Sequence, residues 1–133
     1  MKKLLFALPF LFLYINANAY EPTRGYEKVT ESDNGKSFFI HKKSIQRKSN
    51  FVYFWMESDS VPPRYALSAS HTQAYSVIDC KNRLLDDVKV TIFSHAGDVL
   101  DSYSYKFRDW TPIAPGSVGE GLYKAVCKRE LSL

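Results

Sequence analysis

Cys80 and Cys127 are the only cysteines of the chain, and the N-terminal segment decides what they can do. Lys2 and Lys3 give a short positive start. Leu4 to Ile15 is apolar apart from Pro9, and Ala17-Asn18-Ala19 is an A-x-A run of small residues. That order reads as a secretory signal and predicts cleavage between Ala19 and Tyr20. An uncleaved N-terminal anchor is the alternative. The apolar stretch is too short for a permanent span, so no transmembrane segment is expected after processing. Export delivers both cysteines to an oxidising compartment, where an even count reads as a disulfide. Such a bridge closes a loop of roughly 47 residues and is worth about 4 kcal/mol through the entropy it removes from the unfolded chain. Two free redox-active thiols are the alternative, but there is no C-x-x-C spacing and no neighbouring His.

Removing residues 1–19 from the 133 leaves 114, enough for one domain with a real core. Taking Lys2 and Lys3 from the 18 basic residues leaves 16 against 14 acidic, a net +2 in place of +4. So mild a charge, on an exported chain, gives no reason to expect nucleic acid as a partner. The expected organisation is a signal over 1–19, a flexible leader over 20–25 and one domain over 26–133. The leader is polar and holds Pro22, which is why it reads as loose.

The domain reads as β until its last segment. Glu27 to Glu31 and Lys36 to Ile40 flank Asp33-Asn34-Gly35, a strong hairpin signal. Phe51 to Glu57 alternates with both faces apolar, which predicts a central strand or one covered on both sides. Phe51, Tyr53 and Trp55 fall on one face, Val52, Phe54 and Met56 on the other. Tyr65 to Cys80 is long and β-prone, and Lys81-Asn82 turns it. Asp87 to Ser94 and Val99 to Phe107 pair around His95-Ala96-Gly97-Asp98. Pro112, Pro115 and Gly116 then fix a loop. Ser117 as N-cap with Glu120 three residues on forms a capping box and starts a helix. Val118, Leu122, Ala125 and Val126 share its apolar stripe. Gly119 and Gly121 weaken its first turn but suit close approach to the sheet. Lys124, Lys128 and Arg129 favour its C-terminal end. The sum is an α+β fold: six antiparallel strands, one C-terminal helix packed on them, and one disulfide.

Several pieces together resemble the bacterial surface-adhesin E family. They are Ser44-Ile45, the Val52 to Trp55 strand, Asp79-Cys80 with Arg83, and the turn Gly97-Asp98-Val99. The most specific is the W-x-P-I-x-P-G-S run from Trp110 to Ser117, followed by Val126-Cys127. They cover the chain from about Tyr26 to Cys127. The family often has Asp where this chain has His41. The resemblance implies a sheet with a helix pinned to it by the disulfide. It also implies an envelope or surface protein able to bind host matrix or serum proteins, and able to form homodimers. Members of such families can be lipoproteins, and no Cys follows the cleavage site here.

The residues supply no catalytic constellation. His41, His71 and His95 lack zinc-site spacing, so no metal or other cofactor is expected. There is no G-x-S-x-G elbow, and capping accounts for Gly116-Ser117. Asp86 and Asp87 are adjacent in a strand, so they are expected to face apart and not to converge for acid–base work. Lys42, Lys43, Arg47 and Lys48 place four positive charges in one loop, a chemistry suited to an acidic protein or a sulfated glycan. The alternative is a solvated turn with Ile45 in the core. Nine Tyr, nine Phe and two Trp are many for this length, and Tyr53, Tyr103 and Tyr105 are candidates for an exposed contact patch. Trp110 is expected to cover one end of the core. The expected function is an exported, adhesin-like binding protein of the envelope or surface, and not an enzyme. The alternative is a periplasmic structural or inhibitor-type protein-binding domain. The location is periplasm, cell surface or medium.

Overall fold

The computed structural model describes residues 20–128. The signal expected over 1–19, with Ala19 of its cleavage site, lies outside the described residues, and so does Arg129. In chain order the elements are β1 (Tyr26–Glu31), β2 (Ser37–His41), a 3-10 turn (Lys42–Ser44), β3 (Gln46–Lys48), and β4 (Phe51–Ser58). A second 3-10 turn (Pro63–Tyr65) precedes β5 (Ala69–Asp79), β6 (Leu84–Ser94), β7 (Val99–Ser104), β8 (Thr111–Pro112) and α1 (Val118–Val126).

One antiparallel sheet runs β1-β2-β4-β5-β6-β7. The six-strand path agrees with the sequence pattern, and two short strands add to it. β2 pairs with the Met56–Ser58 end of β4, and β3 with its Phe51–Tyr53 end. The chain from Ser37 to Lys48 is therefore one broken strand along a single edge of β4, stepped by the 3-10 turn. Ser44 fixes that step: its Oγ donates to the His41 carbonyl at 2.7 Å and accepts from the Trp55 amide at 2.9 Å. β8 likewise extends the edge of β6 beyond β7.

Alternation in β4 sends Val52 and Phe54, both fully buried, to the face that carries the helix. They pack with Ile40, Ile78, Ile113, Leu122, Val126 and Cys127 in the main core. The helix starts where the sequence placed it. Ser117 Oγ accepts from the Glu120 amide at 3.2 Å. The Glu120 carboxylate reaches the Gly116 amide at 2.8 Å, one residue earlier than in a standard capping box, because the Ser117 amide bonds the Ala114 carbonyl.

Three devices hold α1 down. The Cys80–Cys127 disulfide joins its C-cap to the end of β5. The β5–β6 turn is wound on Asp79, whose Oδ1 accepts from the Lys81 and Asn82 amides and whose Oδ2 accepts from the Asn82 side chain. That turn places Arg83 over the Tyr123 ring at 4.4 Å and within 3.4 Å of Glu120. The third device is glycine at 121. A Cβ there would lie 2.5 Å from the Thr30 Cβ on β1. Gly121→Ala should therefore cost about 1–3 kcal/mol by overpacking, despite the higher helix propensity of alanine. A thermal melt of the variant against the parent checks this, and an unchanged or higher midpoint would contradict it.

The leader lies against the sheet. Tyr20 packs its ring against Phe39 and His71, with centroids 5.7 and 5.8 Å away. Its hydroxyl donates to Glu57, as does the Thr23 amide at 2.8 Å. Glu57 is fully buried on the face away from the helix. The polar composition of the leader conceals this strap because its acceptor lies more than thirty residues downstream.

Candidate binding surface

The two sheet faces differ in what covers them. The helix face is closed by α1 at one end. At the other, the 3-10 turn at Pro63–Tyr65 bonds across to β7. Tyr65 donates to Asp101 at 2.5 Å, and Arg64 donates to the Tyr103 hydroxyl at 2.6 Å. The hydrogen bond it gives to Asp101 holds the Tyr65 hydroxyl up at a pKa of about 12. The opposite face has the leader over Phe39 and Glu57 and, among the described residues, no helix.

On that open face the aromatic side chains form a row. Trp110 stacks on Phe51 at 5.8 Å and 15°. Tyr53 stacks on Tyr75 at 5.9 Å, and Trp55 meets Tyr75 at 5.1 Å. All five are half-buried. The β4–β5 register builds the row by setting Trp55 opposite Tyr75 and Tyr53 opposite Val77. Trp110 therefore covers Phe51 on the open face and does not cap the core beneath the helix.

The row ends at a cavity of about 270 Å³ lined by Tyr26, His41, Ser44, Trp55 and Gln73. Tyr26 meets the His41 ring edge-on at 5.1 Å. Burial, and the charge of Glu57 close by, push the Tyr26 phenol up to about 12, so it remains a hydrogen-bond donor at neutral pH. Gln73 donates to the Glu57 Oε1 at 2.8 Å. Burial alone would raise the Glu57 pKa, but hydrogen bonds from Tyr20, Gln73 and Thr23 outweigh it and hold the carboxyl below its usual range. A neighbouring recess shares His41 and is lined also by Arg24, Gly25, Glu27, Lys42 and Lys43.

The four basic residues singled out by sequence do not act alike. Lys42 pairs with Glu27 at 3.5 Å, both well exposed, an ion pair of small worth. Lys43 borders the recess. Lys48 sits over the Tyr53 ring at 5.5 Å and so joins the aromatic row. Arg47 donates to the Val126 carbonyl at 3.1 Å, at the end of α1. It serves the helix terminus on the closed face.

The remaining candidates lie elsewhere. Tyr53 is in the row, whereas the Tyr103 hydroxyl is tied to Asp101 and Arg64 on the closed face. Tyr105 is exposed beside Phe107. His71 stacks on Phe93 at 5.0 Å and bonds Ser70, and His95 is exposed in its turn. Asp86 and Asp87 both border a cavity of about 250 Å³ with Tyr105, Phe107 and Asp109, but the register sets them opposite Val77 and Ser76, on different faces of the sheet. Asp86 is held by Arg108 at 3.1 Å and by the Asp109 amide, while Asp87 accepts from Ser76. Burial raises the Asp87 pKa. Among the described residues, no group of three or more His, Cys, Asp or Glu is placed to hold a metal ion. No helix among them is long and apolar enough to cross a membrane.

A single antiparallel sheet, clamped on one face by a disulfide-tied terminal helix and carrying an aromatic row on the other, defines an α+β domain of the surface-adhesin type. The chain belongs to the surface-adhesin protein E family, whose model matches residues 26–128. Its fold is similar to the structure of Haemophilus influenzae protein E, with a TM-score of 0.59 and 17% identity. That similarity covers 89% of this chain and 95% of the other. The structure of protein E from non-typeable Haemophilus influenzae is similar at a TM-score of 0.56 and 15% identity, over 88% and 84% of the two chains. No curated protein sequence matches the chain. A signal peptide and secretion are consistent with this family.

Proposed function

We propose that this protein is an exported, non-catalytic binding protein of the bacterial envelope or surface, and that it contacts host matrix or serum proteins through the open sheet face. The observation that carries the reading is the asymmetry of the sheet. One face is closed by α1 and the Pro63–Tyr65 turn, and the other presents five half-buried aromatic rings edged by Lys42, Lys43 and Lys48. Half-buried aromatics with a cationic rim are what a protein contact surface needs. The rings supply area to desolvate, and the charges steer an acidic partner. Membership of a surface-adhesin family supports the same assignment.

The test is binding of oxidised domain to immobilised matrix and serum proteins at low and high salt. Saturable binding is expected, weaker at high salt. The triple variant Lys42→Ala, Lys43→Ala, Lys48→Ala should weaken it several-fold while leaving the melting midpoint nearly unchanged, because all three are exposed. Arg47→Ala should instead lower stability, through the lost bond to Val126. Binding that neither salt nor the triple variant alters would remove the basic rim from the account. Retention of the native protein wholly inside the periplasm would remove adhesion.

A further inference from the structure

The cavity at the end of the aromatic row has a chemistry that a flat protein contact does not require. Its wall is the Trp55 indole, continued by Tyr75 at 5.1 Å. Its rim is polar on several sides: the Tyr26 phenol, the Ser44 hydroxyl, the Gln73 amide and the His41 imidazole. Tyr26 and Gln73 are uncharged and carry both donor and acceptor capacity, and Ser44, whose proton goes to the His41 carbonyl, keeps an acceptor lone pair. No lysine, arginine or carboxylate is among the five lining residues.

From these features we infer that the cavity is a subsite for one neutral pyranose ring of a glycan. A pyranose has one apolar C–H face and a girdle of hydroxyls that both donate and accept. The C–H face matches an indole wall, and the hydroxyls match a neutral mixed rim. The volume agrees: about 270 Å³ falls just below the roughly 300–1,000 Å³ of sites that engulf a drug-sized ligand, as a single ring requires. The site is also preorganised. Ser44 ties the His41 carbonyl to the Trp55 amide, and Gln73 is held by the buried Glu57. This inference rests on the reading that the open face is the binding surface. It adds a ligand class that the protein-contact reading does not need.

The experiment titrates methyl glycosides of glucose, galactose, N-acetylglucosamine and N-acetylgalactosamine into the oxidised protein, followed by amide and indole NMR. At least one glycoside should bind in the millimolar range and shift the Trp55 indole, the Ser44 amide and the Gln73 side-chain amide together. Trp55→Ala should weaken binding by roughly tenfold or more, and Trp55→Phe by less. Tyr26→Phe is the sharper variant, because it keeps the ring and removes the rim hydroxyl. It should leave the melting midpoint nearly unchanged while weakening the glycoside by about fivefold or more. A structural role for Tyr26 alone predicts no loss of sugar affinity. Shifts confined to other surfaces, no binding by any of the four, or full affinity in Tyr26→Phe and Trp55→Ala would overturn the subsite. The matrix-binding assay run on the parent separates the two claims: retained protein binding with no response to any of the four glycosides sinks the subsite alone.

Discussion

Replacing Cys80 and Cys127 together by serine should lower the folding free energy by about 4 kcal/mol, a fall in melting midpoint of roughly 15 °C for a domain of this size. The bridge closes a loop of 47 residues, from the end of β5 to the cap of α1. That loop contains β6, β7, β8 and all of α1. Without the bridge, the helix keeps its apolar anchors Leu122 and Val126 and the Arg83–Tyr123 contact. It is only nine residues long, and a helix of that length is not stable alone. The loss should therefore be greatest at α1. Amide hydrogen exchange of Leu122, Tyr123 and Val126 should accelerate more than that of β4. A circular-dichroism melt with and without reductant reports the global effect, and the reduced parent should resemble the variant. Coincident melts would contradict the account of the helix as clamped.

Glu57→Ala is the second large effect. Its carboxylate accepts from Tyr20, from the Thr23 amide and from the Gln73 side chain, and the residue is fully buried. Truncation leaves three donors without their acceptor and opens a hole beneath the leader. The expected loss is about 3 kcal/mol. Glu57→Gln keeps the shape but presents an amide where three donors converge, so it should recover only part. The pH dependence follows from the lowered pKa. The folded carboxyl titrates below its unfolded value of about 4.3, so its contribution is complete above that value. It is lost as pH falls through the lower, folded value. The parent should lose stability on acidification more steeply than Glu57→Gln. Identical acid profiles would place the strap's stability elsewhere. Exchange of the Thr23 amide reads the strap locally and should quicken in both variants.

These two effects show what the sequence reveals and what it hides. The central strand was legible because Phe51 to Glu57 is apolar on both faces, and the helix because Ser117 and Glu120 announce it. β3 was not legible: Gln46-Arg47-Lys48 is wholly polar and exposed, and only pairing with Phe51–Tyr53 makes it a strand. β8 holds a proline and exists because Leu84 and Leu85 present an edge. The strap was hidden for a different reason. Pro22 and its polar neighbours describe a loop, and nothing local tells that Tyr20 meets Glu57.

The site divides in the same way. Four basic residues stood out as a cluster, yet Arg47 is claimed by a carbonyl 79 positions away. Tyr53 and Trp55 were visible as alternating aromatics, but Tyr75 and Trp110 join them only through strand register and the path of the loop after β7. His41 looked like one of three scattered histidines. Its position between the aromatic cavity and the basic recess depends on the step that Ser44 fixes.

The most direct measurement is a hydrogen-exchange footprint of the oxidised protein bound to whichever matrix or serum protein the binding assay retains. Protection is expected in segments 41–48, 51–57 and 73–79, with α1 unchanged. Protection concentrated on α1 or on the Pro63–Tyr65 turn, with those three segments unaffected, would contradict the assignment of the open face as the surface that binds.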